Sequence, residues 1–404
     1  MTLTIRRGLP VSTDVPEAAE AFQAGLDRIT AGADHVQQAM LGARRADDDF
    51  ILPLLATAPE EARTRVAQDE TVRARLTAWE RSHLDLSLGR SAGASWGLRA
   101  LAHMQRFPAD VWMHDQLHSW AFFSGGAELR SLVASATAEL LRSCPHDDYY
   151  RARWSFCLTE MGRPEAGLAA LEGVLERHPQ MASAWHCQVH ALHGLDRHDE
   201  VVDVCRRLEG RTGKFGAHLA WHEALVRLGH GDIDGALTLF DERCGPEANH
   251  GALPIAVADI AGFVWAFAVA TGDPPPRMPQ LRAYFDGLAS PDDTNHVSLQ
   301  RALLGGVVVS PEVVDAGPYA DLTRAIARQA WPAVDRWTTV LSESALLEVG
   351  GSRLQRAIVA LLWLAAHGAQ GTVSKRLHEL DRLAPNAARH PVVAARLREL
   401  HAAA

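Results

Sequence analysis

Several absences narrow the reading before any pattern is sought. No run of 18 apolar residues passes without a charge, so no membrane-spanning helix is expected. Met1 to Pro10 carries Arg6 and Arg7 with no apolar run behind them, so a secretory leader is not expected either. The five cysteines, Cys144, Cys157, Cys187, Cys205 and Cys244, make an odd number and include no C-x-x-C pair. They fit reduced thiols of a cytoplasmic protein, most of them small core residues. Basic residues cluster no more densely than pairs such as Arg44-Arg45, Arg206-Arg207 and Lys375-Arg376, and the net charge is -9. A phosphate-tracking surface needs denser positive charge, so no nucleic-acid partner is expected, and the lack of a long apolar run speaks against a membrane.

Familiar chemical signatures are also missing. His222-Glu223-Ala224-Leu225-Val226 begins like a zinc-protease H-E-x-x-H and lacks the second His. Gly210-Arg211-Thr212-Gly213-Lys214-Phe215 is too short for a phosphate loop and has no Ser or Thr after the Lys. No G-x-S-x-G elbow occurs, and Gly229-His230-Gly231 is not a dinucleotide fingerprint.

What is present is a globular composition, 47% apolar and 22% charged, with 20 histidines in 404 residues. From Pro16 onward apolar residues recur three and four apart, broken by Gly, Pro or Asp, with few alternating β-branched runs. The pattern predicts an all-α fold. Between Asp148 and Arg243 it becomes a repeat. Gly162, Asp196 and Gly231 each stand between a pair of helical segments, at spacings of 34 and 35 residues. The first unit predicts one helix over Tyr149 to Met161 and a second over Pro164 to Arg177, closed by Pro179. Later first helices are expected over Ala182 to Leu195 and Phe215 to Leu228. The grammar returns between Gly368 and Pro385. This period, with Pro closing the second helix, resembles the tetratricopeptide repeat and implies an α-solenoid of helix-turn-helix units. Residues 1–272 are read as N-terminal repeats, 273–280 as a Pro-rich loop, and 281–404 as C-terminal repeats on the same superhelix.

The histidines fall on this frame in a telling way. His186, His190 and His193 stand at i, i+4 and i+7 on one helix, His218 and His222 at i, i+4 on the next first helix, and His114 and His118 likewise on an earlier one. His83 lies on a helix before that. A single such pair is commonly a satisfied packing feature. Three pairs on inner helices bring up to six imidazoles toward one groove, and burying that much polar surface costs a few kcal/mol per unmet group. Such imidazoles can bind a divalent metal, act as general acids and bases with partners such as Asp259 or Glu160, or hydrogen-bond a ligand without chemistry.

Particular words then add to the spacing. His186-Cys187-Gln188-Val189-His190, His218-Leu219-Ala220-Trp221-His222-Glu223-Ala224-Leu225 and Gly350-Gly351-Ser352-Arg353-Leu354-Gln355-Arg356 resemble, in that order, blocks of the tetratricopeptide repeat protein 38 family. Leu9-Pro10-Val11-Ser12-Thr13 with Glu17, Ala18, Ala19 and Phe22 is similar to that family's start. The resemblance covers nearly the whole chain at low identity. It matches His83, His118, Glu160, His186, His190, His218, Trp221, His222, Asp259, His296, Gln355 and Arg356 to family positions. The chain departs from the family at Leu219, Arg353 and Ala357, where the family has Asn, His and Asp. The resemblance implies a fold and a site and names no reaction.

The expectation is a His-rich inner pocket, with His186, His190, His218 and His222 as the chemical groups. His83, His118, Glu160, Trp221, Asp259, His296, Gln355 and Arg356 are expected to bind ligand. Its occupant is expected to be a small anionic or carboxylate-bearing molecule facing Arg356, acted on by acid-base or metal-assisted chemistry. The other reading is an interaction scaffold whose concave face grips a protein partner's peptide or helix.

Overall fold

The computed structural model describes residues 3–89, 94–124, 127–209, 215–249, 253–273, 278–287, 332, 350–357 and 389–402. These residues are overwhelmingly helical. One short ladder departs from the all-helical expectation: β1 (Leu3–Thr4) pairs antiparallel with β2 (Pro10–Val11), Leu3 opposite Val11. Gly8, at a φ of 81°, turns the chain between them, and the Trp79 indole N–H donates to the Pro10 carbonyl.

The first helices are α1 (Pro16–Ala31), α2 (Val36–Ala46), α3 (Leu52–Thr57), α4 (Glu60–Gln68), α5 (Glu70–Arg75) and α6 (Ala78–Leu88). They close around Phe22, Met40, Leu52, Trp79 and Leu84. Next come α7 (Ala94–Arg106), α8 (Val111–Ser124), α9 (Ala127–Ser143), α10 (Asp148–Glu160), α11 (Pro164–Ala170), α12 (Val174–Arg177) and α13 (Ala182–Gly194). Trp96, Met104, Leu117, Tyr150 and Ala184 share their core. The rest are α14 (His198–Arg207), α15 (Gly216–Gly229), α16 (Ile233–Leu239), α17 (Leu253–Thr271), α18 (Met278–Gly287), α19 (Arg353–Arg356) and α20 (Pro391–Ala402). A π-helical turn, Phe240–Cys244, follows α16. None of these helices is long and apolar enough to cross a membrane.

The spacing of 34 and 35 residues has a backbone cause. Gly162, Asp196 and Gly231 all adopt the left-handed conformation, with φ of 80°, 60° and 80°. Each closes its helix with the same two bonds. The N–H of Gly162, Asp196 and Gly231 donates to Thr159, His193 and Leu228 O at 3.0, 3.2 and 3.1 Å. One residue later, Arg163, Arg197 and Asp232 donate to Leu158, Leu192 and Arg227 O at 2.9, 3.0 and 2.9 Å. This is the glycine-type C-cap that satisfies the orphan carbonyls of a helix end. Asp196 holds that conformation with a Cβ, at a cost of about 1 kcal/mol. Asp196→Gly is therefore expected to stabilise the protein by about 0.5–1 kcal/mol in urea unfolding. A loss of stability would mean that the exposed contact of Asp196 with His198, 3.7 Å long, outweighs the strain.

Two boundaries differ from the sequence expectation. The helix predicted over Pro164 to Arg177 is broken into α11 and α12, because Gly173 takes a φ of 71° and caps α12 from outside. Helix α18 begins at Met278, inside the stretch read as loop. Pro279 occupies its first turn, where a missing N–H is harmless. The expected late repeat between Gly368 and Pro385 lies outside the described residues.

The site is positioned by a stack in which α10 packs on α11 and α13, α13 on α14, and α15 on α14, α16 and α17. The chain ends return to this stack. Helix α1 packs on α8 and α13, and the Ser183 hydroxyl donates to Thr30 O at 2.7 Å. Helix α20 lies on α15 and α17, with Pro391 so near Gly229 that a Cβ there would stand 2.7 Å from its backbone.

Candidate functional site

Helix α10 starts on Asp147, whose carboxylate accepts from the backbone of Tyr149 and Tyr150, and it ends with Glu160 at the mouth of the site. Helices α13 and α15 each bring one i, i+4 histidine pair. The pairs are not copies of one repeat position, since the 35-residue step carries 186 and 190 onto 221 and 225. They are two different faces turned toward each other. His186, His190, His218 and His222 meet with ligating nitrogens all within 4.8 Å of one another, every ring buried. His186 Nε2 stands 2.9 Å from His190 Nε2 and 2.9 Å from His218 Nε2.

Two carboxylates stand behind these rings. His218 Nδ1–H donates to Asp259 of α17 at 2.8 and 2.9 Å, which leaves Nε2 a lone pair aimed at the cluster. Glu160 lies 4.0 Å from His190 Nδ1. Both are held by the segment 350–357. Gly350 and Gly351, at φ of 82° and 79°, let its backbone close on α8, where Gly351 N–H donates to Phe122 O at 2.6 Å. Ser352 and Gln355 then form a capping box that starts α19. The Gln355 side chain also hydrogen-bonds Asp259. Arg356 donates to Glu160 at 3.3 Å and to Gly351 O, and Arg353 N–H donates to both Glu160 oxygens at 2.9 and 3.0 Å.

Burial decides the protonation of the cluster. It pushes His190 and His222 well below the ordinary histidine range, with the neighbouring imidazoles adding to the effect. Burial pushes the Asp259 carboxyl up, countered by His218 and Gln355. The nearby thiols are inert, since burial drives Cys157 and Cys187 up to about 12.

The hydrogen bonds alone do not satisfy this arrangement. An imidazole Nε2 carries either one proton or one lone pair, so His186 Nε2 makes one good hydrogen bond, yet it has two nitrogens at 2.9 Å. Both nitrogens of His222 are buried with no hydrogen-bond partner. A cation among the rings resolves the first problem and half of the second, by taking the lone pairs together and one nitrogen of His222 with them. Nitrogens on one zinc ion lie roughly 3.3 Å apart, given bonds of about 2.0–2.1 Å, so the rings need open by only a few tenths of an ångström.

His186, His190 and His218 also line a cavity of about 60 Å³, together with His118, Phe122, Arg153, Phe156, Phe215, Ile255 and Gln355. His222 is absent from its walls and stands behind the other three rings. Three rings bordering a cavity, with a fourth behind, is the layout of a centre with room for a small molecule.

The structure places the other expected residues as follows. His118 reaches the cavity wall, with Nε2 3.9 Å from Cys157 Sγ. Trp221 stacks on His218 at 5.3 Å, does not line the cavity and serves as a backing wall. Arg356 pairs with Glu160 and does not line the cavity; among the described residues the cation at its wall is Arg153, itself paired with Asp115, which sequence reasoning missed. His114 turns away to the Tyr149 hydroxyl and Thr137. His193 packs on His222 at 5.1 Å, and His190 and His193 both line a smaller cavity with Glu160. His83 lies apart from the cluster: its Nδ1 bonds Asp110 at 2.6 Å, which also takes His103 at 3.0 Å and the Met113 N–H that starts α8. His296 lies outside the described residues. Among the residues missed, Arg153 had a signal, since it shares one repeat position with Cys187 and His222 at steps of 34 and 35.

Among the described residues, fold and site define a mostly helical protein with a buried imidazole cluster beside a small cavity walled partly by aromatic rings. Set against family models, curated proteins and solved structures, the chain gives no match in any of the three.

Proposed function

We infer that the chain is a tetratricopeptide-type α-solenoid, divergent from the protein 38 family it resembles, whose inner face holds a divalent transition metal and acts on a small anionic molecule. The observation that carries this reading is the convergence of three Nε2 atoms on one point at the cavity wall. His186, His190 and His218 are the ligands, and His222 supplies a fourth nitrogen from behind. Asp259 orients His218 through its other nitrogen, the usual outer partner of a metal-bound imidazole. Neutral imidazoles favour zinc, iron, copper or nickel over magnesium and calcium. A metal there supplies Lewis-acid polarisation to a ligand in the cavity. Glu160, 4.0 Å from His190 Nδ1, is the carboxylate that would take or return a proton through the far side of that ring. The reduced thiols suit a cytoplasmic setting.

A peptide-gripping scaffold is less well supported, because its gripping residues would need to be open to a partner. His186, His190, His218 and His222 are 7, 4, 4 and 0% exposed.

Metal content of untagged protein by mass spectrometry tests the reading. About one equivalent of transition metal per chain is expected in the wild type and none in a folded His186→Ala/His222→Ala variant. Wild-type protein that holds no metal, and whose thermal unfolding is unmoved by added zinc, iron or manganese, overturns it.

A further inference from the structure

The cavity beside the imidazoles has one feature that a metal centre alone does not require. Arg153 of α10 is the only Lys or Arg among the described residues that line it. The side chain is 7% exposed, and burying a guanidinium costs several kcal/mol unless it is fully paired. Its pairing is incomplete. One arm is ion-paired to Asp115, and the group hydrogen-bonds Tyr149, whose ring centroid lies 5.3 Å away. Its Nε–H is buried with no hydrogen-bond partner. Around it the apolar walls are Phe122, Phe156 and Phe215, and no carboxylate stands among the described residues that line the cavity. A fixed guanidinium at the wall of a small cavity, among phenylalanine rings, imidazoles and the neutral groups of Ser119, Ser352 and Gln355, is a seat for a planar anion.

The volume sets the size of that anion. Holding one water takes about 10–15 Å³ on the same measure, so 60 Å³ admits roughly four to six non-hydrogen atoms. We propose that the cavity binds a monocarboxylate of two or three carbons, its carboxylate on Arg153 and its other end at the three imidazoles. The proposal rests on the metal reading for what happens to the bound molecule and is independent of it for the binding itself. Arg153 is the residue that selects charge, and the phenylalanine walls select size.

Calorimetric titration of the full chain with sodium acetate tests this, with sodium benzoate as the oversized control. Acetate is expected to saturate one site, and benzoate to show no binding at the same concentrations. Arg153→Met is expected to weaken acetate at least about tenfold, the worth of a charge-assisted hydrogen bond, while metal content stays at the wild-type level. Arg153→Met also removes one side of the ion pair with Asp115, so Arg153→Met/Asp115→Asn is the companion variant, with the same loss expected. Phe156→Trp, which fills the slot without touching Arg153, is expected to abolish acetate binding and keep the metal. Acetate that fails to saturate, that binds Arg153→Met as tightly as wild type, or that binds no better than benzoate overturns the proposal. Wild-type protein that binds acetate through Arg153 but holds no metal sinks the metal reading and leaves this one standing.

Discussion

Asp259→Asn is expected to weaken metal retention about 10- to 100-fold while keeping the metal-free protein within about 1 kcal/mol of wild-type stability. The two halves of this result have different causes. Asparagine keeps an oxygen for the His218 Nδ1–H, so the ring stays in its tautomer and its Nε2 lone pair still faces the cluster. What disappears is the negative charge behind the imidazole, which raises the electron density His218 offers to a cation. In the metal-free protein that same charge is a burden. Asp259 is fully buried, and burial pushes its carboxyl up, so its removal relieves desolvation. Against this relief stands the amide of Gln355, which loses a carboxylate acceptor and can meet the asparagine NH₂. Competition with a calibrated chelator measures the first half, and urea unfolding of metal-free protein the second. A protein that loses several kcal/mol of stability while holding metal as tightly as wild type would make Asp259 a packing partner of His218 and nothing more.

How far the sequence disclosed this site depends on which physical signal carried each residue. Chain reversal was legible because it has a steric cause. Gly162, Asp196 and Gly231 occupy left-handed backbone, so the punctuation marks the period directly. Gly173 was passed over because a glycine within a run of helix formers can be tolerated, and here it breaks the run instead. The faces of α13 and α15 followed from i, i+4 spacing, which places two rings on one side of one helix. Spacing says nothing about what a face meets. The resemblance counts His83 among the ligand-binding residues, and in the fold its partner is Asp110, the residue that starts α8. The resemblance likewise offers the charge of Arg356 to the ligand. Its side chain turns to Glu160, and the cation of the cavity comes from one turn before Phe156 on α10. Arg153 lies in register with Cys187 and His222, so laying the repeats over one another exposes it where a search for histidines does not.

Lowering the pH from 7 to 5 is expected to remove roughly 4 kcal/mol of stability through His114 and His390 alone. Both rings are wholly buried, in different regions of the fold. Burial pushes His114 down to about 3, with the charge of Arg153 adding to the effect, and burial with His198 does the same to His390. In the unfolded chain each titrates near the ordinary value of about 6.5. Between about 6.5 and 3 the unfolded state therefore binds protons that the folded state refuses. Stability is fully present above 6.5 and falls as the pH drops, by up to about 1.4 kcal/mol per unit for each ring. His190, His193 and His222 are shifted in the same direction, so they steepen the fall. Asp110, held below the usual carboxylate range because its two imidazole partners outweigh its burial, extends the loss at the acid end. Asp259 works the other way, since its raised carboxyl takes up a proton more readily in the fold. One such group does not offset five histidines. Against a total of about 5–15 kcal/mol for an ordinary domain, the metal-free protein is expected to lose most of its margin by pH 5. Urea midpoints at pH 7, 6 and 5 measure it. A midpoint that stays level across that range would mean that these rings are hydrated or charged in the native state, contrary to their burial.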